Sequence, residues 1–253
     1  MRTTTRISLG LTLTAASLAA GCHGPHHNQR EQTMAEPREI KFIPRQVTID
    51  ERVYPYAIYV PDEYQGKYAW PAILFLNGSG ERGTDGEKQT KVGIGPAIIA
   101  HPERFPCIVI MPQLQPDKVW HPPDSVKLAM ACLEQTEADY KIDPDRIALT
   151  GLSLGGFGTW HMGALYPDRF CALGPICGGG DVEQARALAK TPIWAFHGAL
   201  DPVVPADRSR EMVAAVRMAG GDVRYTEFPS MGHNAWDAAY NDAEFIAWLL
   251  KKR

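Results

Sequence analysis

The sequence predicts an α/β protein built on one mostly parallel, eight-stranded sheet with helices on both faces. Three observations lead there. From about Ile40 onward, strand-like and helix-like segments alternate, the order that yields parallel strands with crossover helices. The central strand candidates are continuous apolar runs, as strands covered on both faces must be. A serine flanked by glycines stands where one such run passes into a helix.

The strand candidates are 46–50, 54–60, 72–76, 107–111, 146–150, 170–175, 193–197 and 224–228. The helix candidates between them are 96–100, 125–140, 155–166, 182–189, 206–219 and 235–250. In 125–140, Val126, Met130, Leu133 and Ala138 fall roughly on one face. In 235–250, Ala238, Phe245, Trp248 and Leu249 do the same. No internal repeat is visible. A chain of 253 residues, 45% of them hydrophobic, is long enough for one such domain with a full core. A net charge of -3 gives no reason to expect nucleic acid or an anionic membrane surface as a partner.

Residues 1–22 read as a leader. Arg2 and Arg6 make a basic start, and an apolar run, 7–20, follows that is short for a bilayer span. The run ends in Leu18-Ala19-Ala20-Gly21-Cys22, which resembles the lipobox of bacterial lipoproteins, with Ala19 at the position usually held by leucine. Cys22 is therefore the candidate lipidation site, and the expectation is export: a lipoprotein at the cell envelope with the lipid anchor as its one link to a membrane, or, if the leader is an ordinary secretory signal, a periplasmic or secreted protein. Residues 23–38 are polar and aperiodic and read as a flexible linker, leaving 39–253 as the folded domain. Cys107, Cys132, Cys171 and Cys177 belong to that domain. An oxidising compartment permits a disulfide among them, and buried thiols fit the apolar runs equally well.

The chemistry concentrates in three loops. Gly151-Leu152-Ser153-Leu154-Gly155 follows strand 146–150 and opens helix 155–166, the strand–turn–helix setting of a G-x-S-x-G nucleophile elbow. Its turn is so tight that side chains at 151 and 155, two residues either side of the serine, would clash, and the helix N-terminus favours negative charge there. A serine hydroxyl needs a base, and the base needs an acid to orient it. Asp201 lies just beyond strand 193–197 and His233 just beyond 224–228. Loops after parallel strands share one edge of the sheet, so Ser153, Asp201 and His233 are predicted to meet. Asp181 is the rival acid, one strand earlier. His197 reads as a residue that fixes the Asp201 loop, and His161 as a packing or surface residue. Oxyanion donors are expected from the Leu154 N–H and from the loop after strand 72–76, with Ser79 N–H chosen and Gly80 its neighbour. Trp120 and Trp236 are candidate walls for a substrate, while Trp160 fits the core. No metal-ligand spacing or phosphate-binding loop is present, so neither metal nor organic cofactor is expected.

Together these motifs resemble the esterase branch of the α/β-hydrolases, which includes phospholipase/carboxylesterase, dienelactone-hydrolase-like and polyhydroxybutyrate-depolymerase-like proteins. FLNGSGERGTD is similar to the oxyanion loop of predicted extracellular peptidase/esterase members; GLSLGGFGTW, HGALDPVVP and GHNAWDAAY are similar to their elbow, acid and histidine segments. The resemblance implies the α/β-hydrolase fold and cleavage of a small or polymer-linked ester through an acyl-enzyme. The short stretch between 177 and 193 leaves no room for a large lid. Asn77 stands where that family usually has histidine, which implies tuning and not inactivity. Serine in place of cysteine at 153 argues against dienelactone hydrolysis itself. A peptidase and a noncatalytic binding protein on the same fold are the alternatives.

Overall fold

The structure, a computed structural model, describes residues 40–251. The leader 1–22 with Cys22 and the linker 23–38 lie outside the described residues. The chain opens with an antiparallel hairpin, β1 (Ile43–Ile49) and β2 (Arg52–Tyr59), turned through Asp50 and Glu51, both at positive φ. Two central residues with positive φ match the right-handed twist of the flanking strands. β2 runs antiparallel to β4 (Ile108–Pro112). The other neighbours are parallel: β3 (Trp70–Leu76), β4, β5 (Ile142–Leu152), β6 (Ala172–Ile176), β7 (Ile193–Gly198) and β8 (Val223–Phe228). The sheet is open, with order β1-β2-β4-β3-β5-β6-β7-β8.

Seven helices cover it: α1 (Ile94–Ala100), α2 (Pro123–Asp139), α3 (Leu154–Leu165), α4 (Ala185–Leu188), α5 (Asp207–Met218), α6 (Trp236–Asn241) and α7 (Ala243–Leu249) among the described residues. Strand alternation divides the core. Leu74 and Leu76 of β3 join Trp120, Leu133, Trp160 and Met212 on one face, whereas Ile73 and Phe75 join Ile98, Phe196, Tyr240 and Phe245 on the other. Both faces of the central strands are thereby removed from water, which is why their sequences are unbroken apolar runs.

The eight strand candidates all appear, with shifted ends; β5 starts at Ile142, earlier than its apolar run. The helix expected over 235–250 is two helices. Asp242 breaks it: its carboxylate accepts from the Glu244 N–H at 2.8 Å and the Phe245 N–H at 3.4 Å, capping α7. The segment 182–189 is a 3₁₀ turn, Val182–Gln184, followed by α4. No more than these short pieces connects β6 to β7, so no large lid covers the strand ends there. Cys107, Cys132 and Cys177 are buried free thiols, and the half-buried Cys171 Sγ lies 3.6 Å from the Leu249 carbonyl oxygen.

Candidate active site

β5 ends at Leu152 and α3 begins at Leu154, so Ser153 alone makes the turn between them. Its φ of 51° and ψ of -114° lie in a region that side chains avoid, at a cost on the order of 1–3 kcal/mol. The surroundings enforce it. Ser153 N–H donates to the Ile176 carbonyl at 2.9 Å, tying the turn to β6. A Cβ on Gly155 would sit 1.9 Å from the Leu76 carbonyl oxygen, so only glycine lets α3 start this close to β3.

The loops after β7 and β8 converge on that serine. His233 Nε2 is 2.8 Å from Ser153 Oγ, and its Nδ1 is 2.6 Å from Asp201 Oδ2. The Asp201 side chain is wholly buried and that of His233 is 19% exposed, so the chain of bonds runs from the interior to the surface. Burial works against the Asp201 charge. The bonds from His233 and from the Val204 and Val203 N–H groups outweigh it and hold the carboxyl below its ordinary range. Asp201 is therefore a carboxylate whose Oδ1 is filled by backbone and whose Oδ2 faces the imidazole.

His197 fixes the acid loop. Its Nε2–H donates to the Val204 carbonyl at 2.9 Å and lies 3.2 Å from Asp201 Oδ2, and its Nδ1 pairs with Ser209 Oγ at 2.7 Å. Burial pushes His197 below the usual histidine range, against the bond to the Val204 carbonyl and the nearby Asp201 charge. Asp181, the rival acid, caps the 3₁₀ turn by accepting the Glu183 N–H at 3.0 Å. Cys177 Sγ, an Asp201 oxygen and a His233 nitrogen lie within 4.8 Å of one another, a donor set of the kind that can hold a metal. Here Asp201 Oδ2 and His233 Nδ1 bond to each other at 2.6 Å, and burial pushes the Cys177 thiol up to about 12.

Leu154 is the first residue of α3, where backbone N–H groups have no helical acceptor. Ser79 and Gly80 lie exposed on the loop after β3, and among the described residues neither N–H meets an acceptor. That loop is heavily braced. Asn77 is fully buried; its Oδ1 accepts the Leu114 N–H at 3.0 Å and its Nδ2 donates to the Gly78 carbonyl at 2.7 Å. Arg82 Nε donates to the Ser79 carbonyl at 3.0 Å. A Cβ on Gly78 would meet Leu152 Cδ1 at 2.7 Å, so a side chain there would push the loop away from the elbow. The Glu81 carboxyl folds back beneath the loop. Burial raises it above the ordinary carboxylate range, against bonds from the Gly78 N–H and its own N–H.

The two tryptophans proposed as walls part company. Trp236 is half-buried beside His233, with ring centroids 5.1 Å apart, edge to face. Trp120 is a correction: it is fully buried and cannot line a substrate cleft. Its indole Nε1–H donates to the Asn77 carbonyl at 2.9 Å, so it supports the loop after β3 from inside. Trp160 is core, as expected. The supporting roles of Arg82 and Gln113, whose Nε2 donates to the Glu81 carbonyl at 3.2 Å and to Asp85 Oδ1 at 3.0 Å, carried no signal in the sequence. Asn77 carried one, as the residue replacing the usual histidine.

Residues 124–249 match the phospholipase/carboxylesterase family model. A solved thermostable esterase superposes with a TM-score of 0.75 and 34% identity, covering 82% of this chain and 62% of that one. This chain has the α/β-hydrolase fold. Among curated relatives, acyl-protein thioesterase 1 of Gibberella zeae is 32% identical over 131 residues, 47% of this chain and 54% of that protein. The chain thus spans about half the length of that relative. A ferulic acid esterase structure, 17% identical with a TM-score of 0.68, covers 84% of this chain and 100% of its own and shares the fold.

Proposed function

We propose that this α/β-hydrolase is a serine hydrolase that cleaves carboxylic esters through an acyl-enzyme. The observation that carries the reading is the continuous bond path Ser153–His233–Asp201, at 2.8 and 2.6 Å, on the strand-end edge of the sheet. In the first step Ser153 Oγ bonds to the ester carbonyl carbon while its proton passes to His233 Nε2. The tetrahedral oxyanion is held by the N–H groups of Leu154 and Ser79. The carbon–oxygen bond to the alcohol then breaks, and His233 gives the alcohol its proton. Water repeats the sequence and releases the acid. Asp201 holds the imidazole with Nδ1 protonated and Nε2 free to act as base, and it stabilises the charged ring.

Matches to esterases and a thioesterase support an oxygen or sulfur ester over a peptide amide. Trp236, beside His233, is positioned to flank the group bound there. The leader with Cys22 supports an exported, lipid-anchored enzyme, which intact-mass analysis of the mature N-terminus tests: an acylated cysteine supports it, and a free N-terminus further along removes the anchor.

The test of the activity is a panel of aryl, alkyl and thioesters run on the wild type and on Ser153→Ala. Losing the nucleophile of such a unit costs on the order of a millionfold in kcat. Hydrolysis that survives Ser153→Ala within about a hundredfold would rule out the acyl-enzyme route. Amine release from peptide amides at rates matching the esters would move the reading to a peptidase.

A further inference from the structure

We propose that Asn77 and Arg82 are positioning residues that aim the Ser79 and Gly80 N–H groups into the site, an inference that rests on the ester-hydrolase reading above. In a trans peptide the C=O and the N–H of the next residue point in opposite directions, so fixing one fixes the other.

Three consecutive peptides make up the loop. In the first, Asn77–Gly78, the carbonyl accepts from Trp120 Nε1 at 2.9 Å, and the Glu81 carboxyl lies beside Gly78, its Oε2 2.9 Å from where a Cβ would stand. In the second, Gly78–Ser79, the carbonyl accepts from Asn77 Nδ2 at 2.7 Å. The opposite end of that plane is the Ser79 N–H. In the third, Ser79–Gly80, the carbonyl accepts from Arg82 Nε at 3.0 Å, and the opposite end is the Gly80 N–H. Two successive planes thus have their carbonyls held and their N–H groups without an acceptor among the described residues.

The holders are themselves held. Asn77 is fully buried, and its Oδ1 accepts the Leu114 N–H at 3.0 Å. A flipped amide would set N–H against N–H and oxygen against oxygen, so its orientation is determined by its partners. Arg82 also donates from Nη1 to the Lys118 carbonyl at 3.2 Å, which anchors its guanidinium to the segment leading to Trp120. Without these clamps the glycines at 78 and 80 would leave the planes free to rotate. A Cβ on Gly80 would touch nothing within 4 Å, so packing does not restrain that plane. Donors fixed in advance need no reorganisation when charge develops, which is the condition for large electrostatic stabilisation.

The test compares the full chain with Asn77→Asp and Arg82→Met, measuring kcat, KM and the thermal midpoint with one aryl ester. Asn77→Asp keeps an oxygen for the Leu114 N–H and loses the donor to Gly78. Because a whole oxyanion donor is worth about 100- to 1,000-fold, a misaimed one should lower kcat by about tenfold or more with KM changed less than about twofold. Arg82→Met keeps the apolar stem of a partly exposed side chain and should lower kcat by roughly three- to tenfold in a protein that folds normally. A purely structural role would lower the midpoint and the active fraction without this split. Folded variants with wild-type kcat, or with a raised KM alone, overturn the proposal; if Asn77→Asp does not fold, Arg82→Met decides. Fluorophosphonate labelling of Ser153 in the wild type separates the two readings. An unlabelled, inactive wild type sinks the hydrolase reading and this one with it, whereas a labelled, active wild type with unaffected variants sinks the positioning role alone.

Discussion

Replacing Asp201 with asparagine exchanges one oxygen at the buried end of the bond path for an amide nitrogen. The structure separates what this preserves from what it destroys. Oδ1 accepts the Val203 and Val204 N–H groups at 2.8 and 2.9 Å, and an asparagine oxygen placed there keeps both bonds, so the loop should hold. The amide nitrogen then occupies the Oδ2 position, 2.6 Å from His233 Nδ1 and 3.2 Å from His197 Nε2, whose N–H keeps the Val204 carbonyl as its acceptor. Two donors cannot face each other, so the imidazole must move its proton to Nε2, the atom 2.8 Å from Ser153 Oγ. The ring would then present a donor where catalysis needs a base. In a well-studied serine protease the equivalent exchange lowers kcat by about 10⁴-fold. At about 1.36 kcal/mol per tenfold that is roughly 5.5 kcal/mol of lost transition-state stabilisation. Steady-state kcat on an aryl ester, with the folded fraction checked by near-UV circular dichroism, measures it. A folded Asp201→Asn enzyme retaining kcat within tenfold of wild type would refute the tautomer argument.

Four further outcomes follow from the same geometry. Gly155→Ala should abolish soluble enzyme or its activity, because the new Cβ meets the Leu76 carbonyl oxygen at 1.9 Å, while Gly80→Ala, with open space around it, should fold with a wild-type thermal midpoint. Trp120→Phe leaves the buried Asn77 carbonyl without its 2.9 Å donor and should cost about 1–3 kcal/mol in denaturant unfolding, with no loss expected if the bond is immaterial. Asp201 is held below its ordinary range when folded, so its contribution is complete above about pH 4 and is lost as pH falls through the lower folded value. Wild type should therefore be the more stable at pH 7, and its lead over Asp201→Asn should shrink in acid; a lead independent of pH would contradict the assignment. Trp236→Ala should alter the ratio of aryl to alkyl ester hydrolysis, and an unchanged ratio would remove Trp236 as a substrate wall.

Much of the fold was legible because the central strands are covered on both faces and must be apolar throughout. The three loops were legible for a related reason: in a parallel sheet, segments that follow different strands emerge at one edge, so Ser153, Asp201 and His233 could be placed together from chain order alone. What escaped depended on contacts between distant segments. A tryptophan before a helix reads the same whether it faces a cleft or the core, and only the packing of Trp120 beneath Asn77 shows which it does. The break at Asp242 was hidden because the apolar periodicity continues across it, although an aspartate with free N–H groups beyond it is a known helix start. The bracing of the loop after β3 was unreadable, since Arg82 and Gln113 act through backbone carbonyls that a sequence does not place.

The most direct test of the central claim is intact-mass and peptide-mapping analysis of the protein after exposure to a fluorophosphonate, alongside ester turnover before and after. One adduct is expected, on Ser153, formed in step with loss of activity and absent from Ser153→Ala. Undiminished ester turnover in a protein fully labelled at Ser153, or turnover without any labelling there, would contradict it.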